Sequence, residues 1–481
     1  MHPDIYKADR LTARQNIVFL VKDLKKVPSG YLSREEIKFI LEKKQALKKE
    51  MFCFNRLSHR IFVQFIKEEK DDFIRMENCR KAGDSIASVL NSQKLPGIII
   101  DDVNGNTPET LALAEGIILG NYQFLKYKKE KGKQNTLAKI GVFSGKITED
   151  QLGELSIISD AVYRCRTFIN EPHSHLNTRT FAKELEEMAM KSGVKTEVLN
   201  KKKIESLKMG GLLAVNKASH EPPVFMVMEW KPARAVNKKP VVFVGKGIVY
   251  DSGGMNLKPG SSLASMKDDM SGAAAVACAV CAIAKAGLPV HIVGLIPITD
   301  NKIGPDATLP GDIITMHNGL TVEVVDTDAE GRLILGDALS YASRYKPELV
   351  IDLSTLTGSA VRAIGKFGMV ALQVKAGKDL ELLSISGWKV FERLVEFPAW
   401  EEYGELMKSD IADLKNLGPP EAGAITAGKF LEHFTDYPYI HLDIAGPAFL
   451  EKRDSYRGQG GTGVGVRLLF NFIKSKIQSS D

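Results

Sequence analysis

The sequence predicts an α/β protein of two domains: a smaller N-terminal domain, and a larger C-terminal domain with a mostly parallel, mixed sheet flanked by helices. Length is the first observation, because 481 residues exceed what one ordinary hydrophobic core organises. Order is the second, because short apolar runs alternate with helical stretches along the chain. The third is that several runs are continuously apolar, as is typical of strands buried on both faces of a parallel sheet.

The N-terminal domain is predicted to occupy residues 1–148 and to serve assembly or regulation. Apolar runs indicate its strands, and charged stretches indicate its helices. The predicted strands are 17–21, 61–65, 97–100 and 140–143, and the predicted helices are 34–50 and 108–125. A helix over 149–170 then connects the two domains.

The C-terminal domain is predicted to span 171–481, with strands and helices again in alternation. Its predicted strands are 196–199, 224–229, 241–245, 290–297, 321–325, 349–353 and 439–444. The small-residue run after Met270 predicts a tightly packed helix, and Cys278 and Cys281 fall inside it. This spacing of cysteines is interpreted as core packing, because free cysteine is among the most buried residue types.

Composition narrows the class of protein. A net charge of +6 is small for this length and does not by itself argue for a nucleic-acid partner. No apolar run reaches 18 residues and the N-terminus has no apolar leader-like stretch, so we expect no membrane span. Five cysteines, an odd and small number, suit reduced thiols in a cytoplasm.

The run from Val325 to Leu333 (Val-Asp-Thr-Asp-Ala-Glu-Gly-Arg-Leu) carries the strongest chemical signal. If the preceding strand continues through it, Asp328 and Glu330 point to one side and converge on one cation. The helix predicted to follow places Arg332 at a helix N-terminus, where an anion is favoured. The alternative is that Asp-x-Glu is only a solvated turn.

A second polar segment follows the predicted strand 241–245. Lys246 and Asp251 lie in a glycine-rich stretch after that strand, and Lys258 and Asp269 come soon after. Glycines allow close approach of backbone to a ligand. A phosphate loop is excluded here, because the four-residue spacer and the Ser/Thr after the lysine are missing.

Together these motifs resemble those of the leucyl aminopeptidase family, the cytosolic dinuclear metallo-aminopeptidases. The resemblance runs in order from about residue 160 to 470. It is carried by Val244-Gly-Lys-Gly, Tyr250-Asp-Ser-Gly-Gly254, Asp269-Met270, Thr327-Asp-Ala-Glu-Gly-Arg-Leu333, Asp352-Leu-Ser-Thr-Leu-Thr-Gly358, Ser409-Asp-Ile-Ala-Asp413, Gly423-Ala-Ile-Thr426 and His441-Leu-Asp-Ile-Ala-Gly446.

The resemblance implies two divalent metal ions per subunit, zinc or manganese, with magnesium or cobalt as alternatives. One ion would be held by Asp251, Asp328 and Glu330. The other would be held by Lys246, Asp251, Asp269 and Glu330, with Lys246 neutral. The motifs hold no cysteine, and their oxygen-rich donors disfavour copper and iron–sulfur clusters.

The implied activity is release of N-terminal residues from peptides, with Leu, Met and other large apolar residues favoured. The metals would bind the free α-amine and the scissile carbonyl, and would supply a bridging hydroxide. Lys258 would stabilise the oxyanion, and Arg332 would hold a small anion, bicarbonate acting as base. The loop from Thr355 to Gly358 would face the substrate, and Met266 would line the pocket for the first side chain.

Family resemblance further implies a homohexamer in the cytoplasm. Two other functions stay open. One is a nucleic-acid-binding protein, for which the basic run 126–133 is the candidate contact, although such a run is more typical of a solvated helix end and turn. The other is a catalytically dead scaffold, against which the complete set of site residues argues. His173 and His175, although an H-x-H pair, are predicted not to bind metal, and His441 is predicted to be structural.

Asp326 departs from the family pattern, which usually has Asn at this position. On a continuous strand it would lie on the same side as Asp328 and add a fifth carboxylate near the metals. Alternatively, it only accepts hydrogen bonds from nearby backbone, as Asn would.

Overall fold

The computed structural model describes residues 2–12, 14–129, 132 and 134–479. It divides into two compact units, Met1–Tyr163 with Lys452–Gly458, and Arg164–Glu451 with Gln459–Asp481. Both units are α/β, with helices around parallel-rich sheets, so the predicted fold class is confirmed. The limits 1–148 and 171–481 assigned to the domains from the sequence, and their roles, stay predictions.

The first unit holds a six-stranded sheet. Its strands are β1 Asp4–Lys7, β2 Ile17–Val21, β3 Met51–Asn55, β4 Arg60–Phe65, β5 Gly97–Asp101 and β6 Lys139–Phe143, and the helices in this part of the chain are α1 Arg34–Leu47, α2 Asp72–Ser92, α3 Thr107–Gly120 and α4 Glu149–Asn170. The order is β1-β6-β5-β2-β4-β3. Every pair is parallel except β3 with β4. The central strand β2 is buried along its whole length, as its continuous apolar run predicts.

Two glycines allow the close packing of α2 on α3. A Cβ atom at Gly83 would lie 2.3 Å from the carbonyl oxygen of Leu113, and one at Gly116 would lie 2.0 Å from that of Arg80. The sequence analysis did not predict α2 or the strands β1 and β3. The basic run 126–133 includes Glu130, Lys131 and Lys133, which lie outside the described residues.

Within the described residues, the second unit holds a nine-stranded sheet, a three-stranded sheet and a two-stranded sheet. Its strands are β7 Lys195–Leu199, β8 Val224–Trp230, β9 Val241–Gly245, β10 Gly247–Asp251, β11 Ile292–Asn301, β12 Ile313–Thr315, β13 Thr321–Glu323, β14 Leu349–Ser354, β15 Met369–Val374, β16 Leu394–Glu396, β17 Leu414–Lys415, β18 Tyr439–Asp443, β19 Phe449–Leu450 and β20 Gly460–Gly461. The main order is β16-β15-β18-β14-β9-β11-β8-β7, and β10 pairs with β11. The central pairs β18–β14, β14–β9 and β9–β11 are parallel.

Helices cover and connect these strands. They are α5 Thr178–Lys191, α6 Lys201–Ser206, α7 Gly210–Asn216, α8 Gly260–Leu263, α9 Ser271–Lys285, α10 Glu330–Ala342, α11 Gly358–Ile364, α12 Gly377–Val390, α13 Glu401–Glu405, α14 Gly423–Glu432, α15 Ala445–Ala448 and α16 Val466–Gln478. Cys278 and Cys281 are buried inside α9, as predicted. No helix within the described part of the chain combines the length and apolar character that a membrane crossing requires.

Two sequence predictions about this unit are wrong. The strand predicted at 321–325 belongs to a separate three-stranded sheet, β12-β13-β17, and ends at Glu323. Beyond that residue the backbone N–H of Val325 donates to the side chain of Asn416 and not to a neighbouring strand. The stretch 247–251, predicted as a glycine-rich loop, is strand β10, which pairs in parallel with β11. The second segment carries the candidate ligand Asp251, and the first lies just before the turn that carries Asp328.

Candidate metal centre

Five polar side chains predicted as metal ligands meet at the carboxyl edge of the main sheet. Lys246 joins β9 to β10, and Asp251 is the last residue of β10. Asp269 follows the short 3₁₀ turn Met266–Asp268, Asp328 lies in the turn before α10, and Glu330 is the first residue of α10. Oxygens from Asp251, Asp328 and Glu330 lie within 4.8 Å of one another.

Two lysines neutralise part of this negative charge. Nζ of Lys246 lies 2.7 Å from Oδ1 of Asp269 and 2.9 Å from Oε1 of Glu330. On the other side of the cluster, Nζ of Lys258 lies 2.8 Å from Oδ2 of Asp251 and 2.5 Å from Oδ1 of Asp328. Each lysine therefore bridges a different pair of carboxylates.

Burial and mutual repulsion shift the pKa values of the acids. Burial raises the pKa of Asp328 to about 7, and the neighbouring charges of Asp251 and Glu330 add to the shift. Burial likewise raises the pKa of Asp269 and of Glu330. A compact group of buried carboxylates with raised pKa values is the electrostatic environment in which a cation binds favourably.

The same cluster acts on the lysines in the opposite direction. Burial alone lowers the pKa of Lys246, but the charges of Asp269 and Glu330 outweigh it, so the pKa lies above the ordinary lysine value. Lys258 follows the same pattern, with Asp251 the strongest of its acidic neighbours. In both lysines the acidic neighbours favour the ammonium form.

The acids converge through a turn and a helix start, not through a strand. The prediction that Asp328 and Glu330 share one side of a continuous strand is wrong, because β13 ends at Glu323. Gly331 lies inside α10, and a Cβ atom there would come within 2.4 Å of Cε of Lys246. Its role is to leave room for the lysine, not to break a strand.

Neighbouring polar groups fix the orientation of the acids. Oδ1 of Asp251 accepts hydrogen bonds from Nδ2 of Asn301 at 2.8 Å and from the backbone N–H of Gly253 at 2.9 Å. Oδ1 of Asp269 accepts one from the hydroxyl of Thr355 at 2.8 Å. The sequence analysis did not single out Asn301, because it predicted the strand to end at residue 297 and predicted a loop where β10 lies.

The donor set fits divalent metal ions. Oδ2 of Asp269 and Oε2 of Glu330 are buried and have no hydrogen-bond partner among the described residues. Leaving a buried carboxylate oxygen unpaired is costly, and a coordinated cation removes that cost. Oxygen donors with one amine suit zinc, manganese, magnesium or cobalt.

Arg332 lies in the first turn of α10 and is buried. Nη1 donates a hydrogen bond of 2.7 Å to the backbone oxygen of Asn416, while the buried Nε has no hydrogen-bond partner within the described ranges. Burial lowers its pKa to about 10. A buried guanidinium with a free N–H is suited to hold an anion.

The loop from Thr355 to Gly358 follows β14 and is held from two sides. On the metal side, Nζ of Lys246 donates to the backbone oxygen of Thr355 at 3.0 Å. On the other side, Asp443 accepts from the backbone N–H of Leu356 at 3.2 Å and from the hydroxyl of Thr357 at 2.7 Å. The loop therefore lies directly beside the acid cluster.

The remaining predicted groups lie as follows. Oδ1 of Asp326 accepts a hydrogen bond of 2.8 Å from the backbone N–H of Asp328, so it caps the turn, as an Asn oxygen would. His441 is buried and hydrogen-bonded through Nδ1 to Asp352. His173 pairs loosely with Asp300, at 3.6 Å, outside the acid cluster.

Comparison with known proteins identifies the family. The profile of the cytosol aminopeptidase family, catalytic domain, matches residues 163–470. The chain belongs to the cytosol aminopeptidase family. It is therefore a hydrolase, a metal-dependent exopeptidase that acts at peptide N-termini.

Relatives agree over most of the chain. A probable cytosol aminopeptidase of Chlorobaculum tepidum is 43% identical over 424 residues, which cover 83% of both chains. One of Geobacter sulfurreducens is 42% identical over 414 residues, covering 84% of this chain and 82% of the relative. The range that the family profile matches, 163–470, spans the positions of the candidate site residues.

Solved structures share the fold from end to end. The bottromycin maturation enzyme BotP in complex with Mn is 25% identical, with a TM-score of 0.85 over 98% of this chain and all of that one. A mutant of tomato leucine aminopeptidase is 26% identical, with a TM-score of 0.84 over 98% of this chain and 96% of that one. The likeness thus extends to both units of this cytosol aminopeptidase family member.

Proposed function

We propose that this chain releases N-terminal amino acids from peptides, favouring Leu, Met and other large apolar residues, with two divalent cations per subunit. The observation that carries the proposal is the group of four buried or half-buried carboxylates and one buried lysine at the carboxyl edge of the main sheet. Four acids gathered this closely repel one another unless cations stand between them.

The proposed ligands divide into two overlapping sets. Asp251, Asp328 and Glu330 would hold one ion, and the oxygens of these three already lie within 4.8 Å of one another. Lys246, Asp251, Asp269 and Glu330 would hold the other. Zinc or manganese is the proposed pair, with magnesium or cobalt as alternatives, since the donors are oxygens and one amine.

Bound cations would supply Lewis acidity toward the scissile carbonyl and would lower the pKa of the attacking water, which the family resemblance implies is a bridging hydroxide. The chain's own residues do the rest. Lys258 contacts Asp251 and Asp328 but belongs to neither proposed ligand set, and its ammonium would stabilise the oxyanion. The buried Arg332 would hold bicarbonate, the proposed base, through its free Nε–H.

The loop from Thr355 to Gly358 would orient the peptide. It is tied to Lys246 and Asp269 on one side and to Asp443 on the other, so its backbone groups keep a fixed position beside the acids. A rigid loop of this kind presents hydrogen-bonding groups at low entropic cost. Met266, at the start of the turn that leads to Asp269, would line the pocket for the first side chain.

A panel of aminoacyl amides tests the proposal. The purified protein is treated with a chelator, its metal content is measured, and hydrolysis is followed with Mn²⁺, Zn²⁺, Co²⁺ or Mg²⁺ added back. We expect no activity without metal, recovery with Mn²⁺ or Zn²⁺, faster release of Leu and Met than of small or charged residues, and no cleavage of an N-acetylated peptide. Full activity in metal-free protein would contradict the proposal.

A cytoplasmic homohexamer is proposed from the family resemblance alone. Light scattering of the purified protein should give the mass of six chains of 52.9 kDa each. An active monomer would contradict this assembly. Nucleic acid is not a proposed partner, and a filter-binding measurement at physiological salt should show no more than weak, salt-sensitive retention.

A further inference from the structure

Asn416 is a fully buried residue that follows directly on strand β17. Strand β17 pairs in parallel with β13, the strand that leads toward the candidate metal centre. This pairing continues one residue further, where the backbone N–H of Asn416 donates to the oxygen of Glu323 at 2.9 Å. Asn416 is therefore held opposite the turn that carries Asp328.

The side-chain amide of Asn416 binds the backbone of that turn through both its oxygen and its nitrogen. Oδ1 accepts hydrogen bonds from the backbone N–H groups of Val325 at 2.8 Å and Asp326 at 3.2 Å. Nδ2 donates to the backbone oxygen of Asp326 at 2.6 Å. A single amide thus binds both backbone polar groups of Asp326 and the backbone N–H of Val325, which fixes the path of the backbone.

The backbone of Asn416 makes a second connection. Its carbonyl oxygen accepts the 2.7 Å hydrogen bond from Nη1 of Arg332. The same residue therefore holds the turn that presents Asp328 and Glu330 and also the guanidinium proposed to bind an anion. No residue of the metal-ligand set contacts Arg332 by a hydrogen bond within the described part of the chain.

We infer that Asn416 is a positioning residue that aligns the metal-ligand turn with the anion site at Arg332. The inference rests on the proposed function, since it gives Asn416 a role toward metal and anion that is distinct from stability. This role requires a side-chain amide. The backbone of Asp326 presents an N–H and a carbonyl oxygen, and an amide offers an acceptor for the first and a donor for the second on two separate atoms.

Side chains that orient metal ligands have a known effect when removed. Loss of such a partner reduces metal affinity or activity by about 10- to 100-fold. We expect Asn416→Ala to lose metal affinity in that range and to need a higher bicarbonate concentration for half-maximal stimulation of hydrolysis. A purely structural residue would change neither quantity in a folded protein.

Asn237 offers a matched control. Its side chain also makes three hydrogen bonds to backbone, with Nδ2 donating to Lys239 and His291 oxygens at 2.8 and 2.9 Å and Oδ1 accepting from the His291 N–H at 2.7 Å. These contacts lie near the starts of β9 and β11, whereas the metal centre lies beyond the carboxyl ends of these parallel strands. Asn237→Ala should lower the unfolding temperature and leave metal binding unchanged.

The experiment measures Mn²⁺ and Zn²⁺ dissociation constants by competition with a chromophoric chelator, and unfolding temperature without metal, for the full-length protein and each variant. Asn416→Asp is included because it keeps the size and the acceptor but turns a carboxylate oxygen toward the oxygen of Asp326. We expect weakened metal binding in both Asn416 variants and normal binding in Asn237→Ala. If Asn416→Ala does not fold, Asn416→Asp decides alone.

Wild-type metal affinity and unchanged bicarbonate dependence in a folded Asn416 variant would overturn the inference. So would an equal loss of metal affinity in Asn237→Ala, since the effect would then reflect stability. Failure of the proposed function is separate and visible in the unmodified protein, which in that case would bind no metal or hydrolyse no aminoacyl amide.

Discussion

At the carboxyl edge of the first unit's sheet, Asp102 follows β5, and both of its carboxylate oxygens accept hydrogen bonds from neighbouring groups. Oδ1 accepts from the backbone N–H of Asn106 at 2.9 Å and the hydroxyl of Thr110 at 3.0 Å, and Oδ2 accepts from the hydroxyl of Ser144 at 2.8 Å. At the corresponding edge of the second unit's sheet, Asp269 and Glu330 each keep a buried oxygen without a hydrogen-bond partner among the residues described.

Both edges belong to parallel-rich sheets, where ligand sites commonly form beyond the strand ends. What differs is how the acids are satisfied. Asp102 is stabilised by hydroxyl and N–H donors that its own loops supply, so it organises a turn and the start of α3. The acids of the second unit are satisfied only in part by two lysines, which leaves donor capacity for a cation. Architecture alone therefore does not define the site.

Replacing one acid at each sheet edge by Asn should give the largest difference in metal content between two variants. Asp251→Asn should lose bound metal and all metal-dependent hydrolysis, because Asp251 belongs to both proposed ligand sets. Asp102→Asn should cost roughly 1–3 kcal/mol of unfolding free energy through weakened hydrogen bonds and should leave metal content unchanged. Elemental analysis, aminoacyl amide hydrolysis and denaturant unfolding measure the three quantities. Full metal content in Asp251→Asn would exclude it as a ligand.

Replacing Lys258 tests whether the two lysines of the second unit differ in role. Lys258→Ala should keep both metals and lower turnover about 100- to 1000-fold, equivalent to roughly 2.7–4 kcal/mol, as expected for loss of one oxyanion-stabilising group. Steady-state kinetics and metal analysis on the same preparation provide the measurement. If metal content fell together with turnover, Lys258 would be a ligand or a structural group instead.

The two edges also differ in how well the sequence predicted them. Continuous apolar runs identified the central strands of both sheets, because burial on both faces leaves a strong signal. Strand β10 was missed, since Gly247–Asp251 looks like a loop when glycines flank it on both sides. Helix α2 was missed because its packing on α3 depends on two glycines, Gly83 and Gly116, and not on a broad apolar face.

The predicted metal ligands lie close together in the structure, but the expected reason for their proximity was partly wrong. A continuous strand was expected to align Asp328 with Glu330, yet a turn and the start of α10 bring them together. The contribution of Asn416 depends on a pairing between β13 and β17, whose residues lie about ninety positions apart. A contact between residues so far apart in the chain cannot be predicted from short-range sequence patterns.

Two glycines within helices, one beside the acid cluster and one away from it, should respond differently to substitution by alanine. Gly331→Ala should weaken metal binding about 10- to 100-fold, because its Cβ would come within 2.4 Å of Cε of the buried Lys246 and overpacking typically costs about 1–3 kcal/mol. Gly153 lies in α4 with no atom within 4 Å of a Cβ built there. Gly153→Ala should raise stability by roughly 0.5–1 kcal/mol and leave metal binding unchanged. Equal metal affinity in both variants would show that Lys246 has room to move.

The smallest effect on metal binding and activity is expected at Asp326, whose carboxylate stabilises a turn as that of Asp102 does at the first unit's edge. Oδ1 of Asp326 accepts from the N–H of Asp328, just as Oδ1 of Asp102 accepts from the N–H of Asn106. An Asn oxygen can accept the same bond, so Asp326→Asn should keep two metals and substantial activity. Removal of one negative charge near the cations should at most shift the pH–rate profile, the metal preference, or the rate on peptides with a basic second residue.

Metal analysis and kcat/KM on Leu-Lys and Leu-Leu peptides distinguish these outcomes for Asp326→Asn. A fall confined to the Leu-Lys peptide would show that the carboxylate acts on the substrate through its charge. Equal rates on both peptides, with unchanged metals, would limit Asp326 to capping the turn, the role that its hydrogen bond to Asp328 already indicates. Loss of one metal would instead make Asp326 a ligand, and the division of ligands proposed for the two cations would then be wrong.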